Sequence, residues 1–366
     1  MKVLYFTFGY STHDHRFVSA IKACGHDVYY MNLKIYNPLE IRSLPYGIKF
    51  IPWWGNRPKI SMFDYPKLIH EFKTIVKSIN PDIIHTGPLQ TVAPIAILSG
   101  FTPIVSMSWG SDLLLDADKN VLNKIITRQV LKNSKALIGD CQAVMDKAVS
   151  YGFPKERVTL FPWGIDLGHF TKGNNPKLRS DLGWDDDFII LSSRSWEPVY
   201  GVETVIEAFC SARKLYSDLK LILLGNGSLK DKILDLISKY ELHDHIHLGG
   251  RVNYDQLPAY YWASDLYVSA SKSDGSSVSL LEAMACQVPV AVSEIPGNRE
   301  WIIDGSNGWL FKYDDVSDLV RAISKIREAG SSIDGMAALS RKKIVDNANW
   351  NANYKKINDA YHMALS

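Results

Sequence analysis

Short apolar, β-branched runs recur along the chain at intervals that leave room for one helix between them. In the first half they are Val3–Phe6, Val28–Tyr30, Ile48–Ile51, Ile83–His85, Ile104–Ser106, Ala136–Ile138 and Val158–Phe161. Several lack polar alternation, as expected of strands buried on both faces of a parallel sheet. The intervening segments carry helical spacing, such as Phe17, Ile21 and Cys24 ahead of a stop at Gly25. The second half repeats the scheme with Phe188–Leu191, Leu221–Leu224, Ile246–Leu248, Leu266–Val268, Val290–Val292 and Trp309–Phe311. Amphipathic segments such as Val202–Phe209 and Val316–Ile326 follow. Strands alternating with helices predict two successive α/β, doubly wound, Rossmann-like domains.

Thr171–Pro176 reads as a polar linker, which puts the boundary near residue 170. The expected division is an N-terminal domain over 1–170 and a C-terminal domain over 171–349. A closing helix over 350–366, with Tyr354, Ile357 and Tyr361 on one face, is expected to pack back on the first domain.

In doubly wound sheets ligands sit beyond the carboxyl ends of the strands. One such segment concentrates polar chemistry: Ser269–Ala285, SASKSDGSSVSLLEAMA, runs from a strand through a Ser/Gly-rich loop into a helix. Its amides are unobstructed by large side chains and have a helix dipole behind them, which suits an anion; Lys272 adds a cation nearby. Asp274 and Glu282 flank this nest, and carboxylates there suit hydroxyls rather than phosphate. Polyol at both ends and phosphate between describes a nucleotide sugar. A second reading stays open: Ser279 to Glu282 also fits a capping box, and Asp274-Gly275 an ordinary turn.

The run Asp274–Pro289, DGSSVSLLEAMACQVP, resembles the donor-binding segment of family 4 retaining glycosyltransferases, the group 1 glycosyltransferases. The resemblance extends through Ser293–Trp309, Leu224–Gly227 and Leu257–Ser269, and through Phe161–Asp166 with Trp163 in place of the usual Asn. It implies the GT-B fold, two Rossmann-like domains facing each other across a donor cleft. It further implies a retaining, metal-independent transfer from a nucleoside-diphosphate sugar to a hydroxyl acceptor, a saccharide or lipid-linked glycan of surface polysaccharide synthesis. Carried over by position, Glu282 binds the ribose, and Gly275, Ser276, Ser277, Val278 and Ser279 contact diphosphate and sugar. Gly225 and Gly227 lie in the matching loop after Leu224. Asp274 stands at a sugar-contacting Glu position, one methylene short. Arg194 matches the family's phosphate-binding Arg, and Asp274 and Arg194 are the catalytic candidates. Tyr200 replaces the usual Lys, a loss that Lys272 or Arg251 is expected to offset.

In the first domain Trp109 replaces a family His that lies near the reacting sugar. Trp109 and Asp112 are acceptor-side candidates by stacking and hydrogen bonding, with a core role for Trp109 equally open. Gly9, His13, Asp14 and Arg16, in and after the first loop, are acceptor-side candidates by their position after strand one. The same stretch also reads as a helix cap on Ser11 or Thr12. Two other classes stay open, a nucleotide-sugar 2-epimerase of the same fold and an inactive nucleotide-sugar-binding protein.

Composition narrows this picture further. The chain has 366 residues, 46% hydrophobic and 22% charged, with 41 basic against 39 acidic side chains and a net charge of +2. This gives no electrostatic case for nucleic acid. Cys24, Cys141, Cys210 and Cys286 are dispersed, which argues against a zinc site or disulfide framework and suits a reducing cytosol. No signal peptide or spanning segment is expected, so the protein is read as soluble and cytoplasmic. Asp185-Asp186-Asp187 formally matches a metal-binding Asp-x-Asp but precedes a strand, and His13-Asp14-His15 lacks a further ligand; no metal and no cofactor are expected. A dehydrogenase is disfavoured, because the first strand is followed by no dinucleotide fingerprint. Tyr46, Phe50, Trp53, Trp54, Phe63 and Tyr65 cluster with Arg57, Lys59 and Lys67, which suits peripheral membrane contact, sugar stacking or plain packing.

Overall fold

The computed structural model describes residues 1–34, 42–330 and 332–366. Each of the thirteen runs read from the sequence is a strand. In the first half these are β1 (Lys2–Thr7), β2 (Asp27–Asn32), β3 (Lys49–Phe50), β4 (Ile83–Thr86), β5 (Ile104–Met107), β6 (Ala136–Gly139) and β7 (Val158–Leu160). The second half holds β8 (Phe188–Ser192), β9 (Leu219–Leu224), β10 (Ile246–Gly250), β11 (Leu266–Ser269), β12 (Val290–Ser293) and β13 (Trp309–Phe311). Among the described residues they form two sheets with parallel pairing throughout, ordered β3-β2-β1-β4-β5-β6-β7 and β10-β9-β8-β11-β12-β13. The apolar runs Leu221–Leu224 of β9 and Val290–Val292 of β12 are buried on both faces, which explains their lack of alternation.

The chain divides into two compact units, Met1–Pro162 with Asn351–Ser366, and Trp163–Trp350. The division therefore falls ahead of the polar stretch at 171–176, which lies inside the second unit. There the Trp262 indole donates to the Thr171 carbonyl at 2.6 Å, and a helix starts at Pro176. Polarity alone could not reveal that this segment is pinned to its own unit.

In the first unit, Phe6, Leu68, Phe72, Val92 and Ile95 pack on one side of the sheet. The closing helix Ile357–Leu365 belongs to this unit and buries Ile357, Ala360, Tyr361 and Ala364. Tyr361 reaches β4, its hydroxyl 2.9 Å from Nδ1 of buried His85. Burial pushes the His85 imidazole down to about 3. The second unit buries its sheet between two clusters, one around Val205, Phe209 and Ile323, the other around Leu280, Leu281, Met284 and Trp301.

Candidate functional site

In the second unit the strand order reverses direction between β8 and β11, the place where doubly wound sheets bind ligands. The loops leaving these two strands are Ser193–Gly201 and Ala270–Ser277, and they meet through Arg194. Its guanidinium donates to the Ser277 and Ser279 hydroxyls at 2.9 Å each, and pairs with the Asp274 carboxylate at 2.7 Å. The Tyr200 ring lies against its other face, 4.0 Å from centroid to guanidinium carbon. Both charged side chains are largely buried, 10% exposed for Arg194 and 18% for Asp274. Burial works against the charge of Arg194. The Asp274 carboxylate and the surrounding tyrosines more than offset it, so the guanidinium pKa is raised. Its Nε is buried and, among the described residues, has no hydrogen-bond partner.

Backbone freedom lets the loops close. Gly201 has φ +59°, and a Cβ there would crowd the Ala270 backbone at 3.1 Å or less. Gly225, φ +93°, would likewise press a Cβ to 2.7 Å from the Arg194 carbonyl oxygen. Gly227 lies against Trp196, whose amide donates to the Asn226 carbonyl at 3.2 Å.

The helix that follows is Val278–Ala285, with Ser277 as N-cap and no side-chain capping bond. The Ser277 hydroxyl faces Arg194 instead. The amides of Val278, Ser279 and Leu280, the first helical turn, have no intrahelical acceptor. The capping-box reading of Ser279 and Glu282 therefore does not hold. Glu282 is buried and accepts from the Tyr261 hydroxyl at 2.9 Å. Gly275 and Ser276 are buried too, and Ser276 takes the Trp301 indole N–H at 3.3 Å. Lys272 and Arg251 are exposed, and neither side chain joins this network. Tyr200, at the position of the family's Lys, lies against the Arg194 guanidinium as a stacking surface.

Sequence reasoning did not single out Tyr261, Tyr267 and Trp301. Tyr267 donates to the Ser279 hydroxyl at 2.7 Å, and Tyr261 to the Ser279 carbonyl at 3.2 Å as well as to Glu282. The available signal was chemical, since a buried Tyr or Trp needs a partner for its polar tip.

The first unit's acceptor-side candidates separate into two groups. His13 and Trp109 come together, ring centroids 5.4 Å apart. Gly9 is fixed by its carbonyl, which accepts from Tyr30 at 2.9 Å and Thr7 at 3.2 Å. Arg16 is half-buried on the helix Thr12–Ala23. Asp14 and Asp112, by contrast, are buried and hydrogen-bonded within the unit. Asp14 completes the capping box of that helix with Ser11 and takes the Tyr5 hydroxyl at 3.2 Å; burial pushes it up to about 6. Asp112 is buried and accepts from the Ser108 hydroxyl and the amides of Leu89, Trp109 and Leu113. Burial also raises its pKa. Both carboxylates hydrogen-bond the backbone and hydroxyls around them. Asp185–Asp187 lies in the turn ahead of β8, and among the described residues no three His, Cys, Asp or Glu side chains gather as metal ligands.

Family models match both halves of the chain: "Glycosyl transferase 4-like" over residues 2–141 and "Glycosyl transferases group 1" over residues 174–348. The chain belongs to the group 1 glycosyltransferases. Among solved structures, this glycosyltransferase is similar to Anabaena Alr3699/HepE in complex with UDP-glucose, with TM-score 0.82 and 16% identity over 99% of both chains. It is also similar to a sucrose-phosphate synthase from Thermosynechococcus elongatus, with TM-score 0.81 and 19% identity over 99% and 98% of the two chains. Its fold is thus GT-B. Among curated proteins, an uncharacterized glycosyltransferase of Methanocaldococcus jannaschii, MJ1069, is 33% identical over 43% of this chain and 41% of that protein. The alpha-monoglucosyldiacylglycerol synthase of Acholeplasma laidlawii is 22% identical over 84% of this chain and 82% of that protein.

Proposed function

We propose that this glycosyltransferase is retaining and metal-independent. It moves a sugar from a nucleoside-diphosphate sugar to a hydroxyl of a saccharide or lipid-linked glycan in surface polysaccharide synthesis. The observation that carries the reading is Arg194, buried at the mouth of the helix Val278–Ala285 with Nε unused and three first-turn amides beside it. Such groups suit a diphosphate whose charge grows as the anomeric C–O bond breaks and its electron pair passes to the phosphate oxygen. The acceptor oxygen attacks the same face of an oxocarbenium-like centre, and its proton passes to that departing oxygen. Glu282 is assigned to the ribose, Asp274 to the sugar, and the His13–Trp109 pair to the acceptor side. The protein works in the cytoplasm, in peripheral contact with the membrane when the acceptor is lipid-linked.

Product analysis by NMR and mass, after incubation with a panel of UDP-, GDP- and ADP-sugars in the presence of a chelator, tests this. Slow release of nucleotide from one donor with retained anomeric configuration, lost in Glu282→Gln, is the expected result. Conversion to an isomeric nucleotide sugar would make the protein an epimerase. Tight binding of a donor without turnover on any acceptor would make it a binding protein.

A further inference from the structure

The helix Val121–Asn133 of the first unit turns Thr127, Val130 and Leu131 inward. Its outward stripe is Val121, Ile125, Arg128 and Lys132, at the i, i+4, i+7 and i+11 spacing of one helix face. Val121 is 74% exposed, Leu122 beside it 54% and Ile125 51%. Three branched apolar side chains thus stand in solvent on one helix whose inner face is already satisfied.

Beyond the stripe's cationic end lie two adjoining hollows of about 510 and 320 Å³, which share Lys132, Ser134 and Arg157. Arg128 lines the first and Lys135 the second, and no carboxylate lines either. Among the described residues, none of these four cations forms an ion pair, whereas Lys124 on the same helix is tied to Asp118 at 3.7 Å. Glu156, next to Arg157 in sequence, stays outside both hollows.

We propose that this face docks on an anionic lipid bilayer, with Val121, Leu122 and Ile125 in the interface and Arg128, Lys132, Lys135 and Arg157 among the headgroups. Charge complementarity selects the occupant. Four uncompensated cations call for an anionic surface, and the exposed aliphatic row calls for one with hydrocarbon beneath its charges. A dissolved anion would leave that row in water. A second copy docked by two-fold symmetry would bring the apolar rows together but no counter-charge to the cations, since no carboxylate lines the hollows. The surface differs from the Tyr46–Tyr65 segment singled out by aromatic content. There Trp53 is buried and Trp54 is covered by Arg57 and Lys67, 3.4 and 3.9 Å from its ring, while Tyr46 and Phe63 stand exposed. The proposal extends the membrane part of the functional reading but does not need the transfer reaction to be correct.

The test is co-sedimentation of the full chain with vesicles of phosphatidylcholine alone and of phosphatidylcholine mixed with phosphatidylglycerol. Binding to the mixed vesicles that weakens with salt is expected, and little binding to the neutral ones. Arg128→Glu with Lys132→Glu, and separately Val121→Asp with Ile125→Asp, should each weaken partitioning by at least about tenfold. All four positions are exposed, so thermal midpoints should stay unchanged; if one pair fails to fold, the other still reads the surface. Wild type left in the supernatant with mixed vesicles at low salt would overturn the proposal. So would folded variants that bind as wild type does, or a wild-type dimer in light scattering that Ile125→Asp splits. Nucleotide release from the donor panel, read on the same preparations without vesicles, separates the two readings: it bears on the transferase and leaves the docking surface standing.

Discussion

Arg194 meets Asp274, Ser277, Ser279 and Tyr200 with one planar group. Only a guanidinium presents that fork; an ammonium has three donors on one compact charge and lacks the planar spread and the stacking face. Arg194→Ala should therefore slow turnover by about a hundredfold or more, the usual cost of removing one preorganised donor to a developing oxyanion. Arg194→Lys should recover little of it. The stacked Tyr200 ring holds the guanidinium plane without adding charge. Tyr200→Phe should turn over within about twofold of wild type, and Tyr200→Leu about tenfold slower, since the cation–π contact is lost only in the second. Steady-state kinetics on any accepted donor decides both comparisons, and equal rates for Tyr200→Phe and Tyr200→Leu would dismiss the stacking role.

At the scale of elements, the closing helix Ile357–Leu365 is held to β4 through the Tyr361 hydroxyl and His85. Burial keeps His85 neutral when folded, with its value depressed to about 3 from 6.5. The unfolded chain takes up that proton first as pH falls. This part of the stability is full above about pH 6.5 and is lost progressively toward the folded value. Asp14 acts with the opposite sign: raised to about 6, it is protonated first in the folded chain and gains stability as pH falls below that value. His85→Phe leaves Asp14 in place, so comparison with wild type isolates the histidine. Urea unfolding at pH 7 and pH 5 should show the variant losing about 2 kcal/mol less than wild type over that range. Equal losses would mean that His85 is not the acid-labile link.

For the whole molecule, two units carry different parts of the proposed chemistry, and the Arg194 network lies entirely within Trp163–Trp350. A nucleoside diphosphate that binds only the folded site stabilises that unit by mass action. With UDP at about a hundred times its dissociation constant, amides of β8, β9 and β11 that exchange through global opening should gain about a hundredfold protection. Hydrogen exchange read by mass spectrometry measures this, with Arg194→Ala as the comparison. Unchanged protection in wild type would argue against a UDP site at the β8–β11 switch point. A GDP or ADP preference would appear as protection by that nucleotide instead.

Strand positions were legible in the chain because parallel strands buried on both faces read as short apolar runs, although the helix Ala93–Leu98 is as apolar and as short. The helix Thr12–Ala23 was legible too, from Ser11, its apolar spacing and Gly25. The Ser/Gly-rich loop and its helix announced an anion-binding region, and resemblance sharpened that region to a donor site. What pairing and burial decided was the role of each charge. Asp14, Asp112, Asp274 and Glu282 are all carboxylates near strand ends in the sequence. The fold commits the first two to backbone amides and hydroxyls, the third to Arg194 and the fourth to Tyr261. The same holds for Tyr200 and Lys272: the fold lays the ring on Arg194 and leaves the Lys272 side chain exposed. A sequence lists the groups that can form hydrogen bonds and ion pairs. Which of them meet depends on loops brought together across strands some eighty residues apart, and only the tertiary structure decides that.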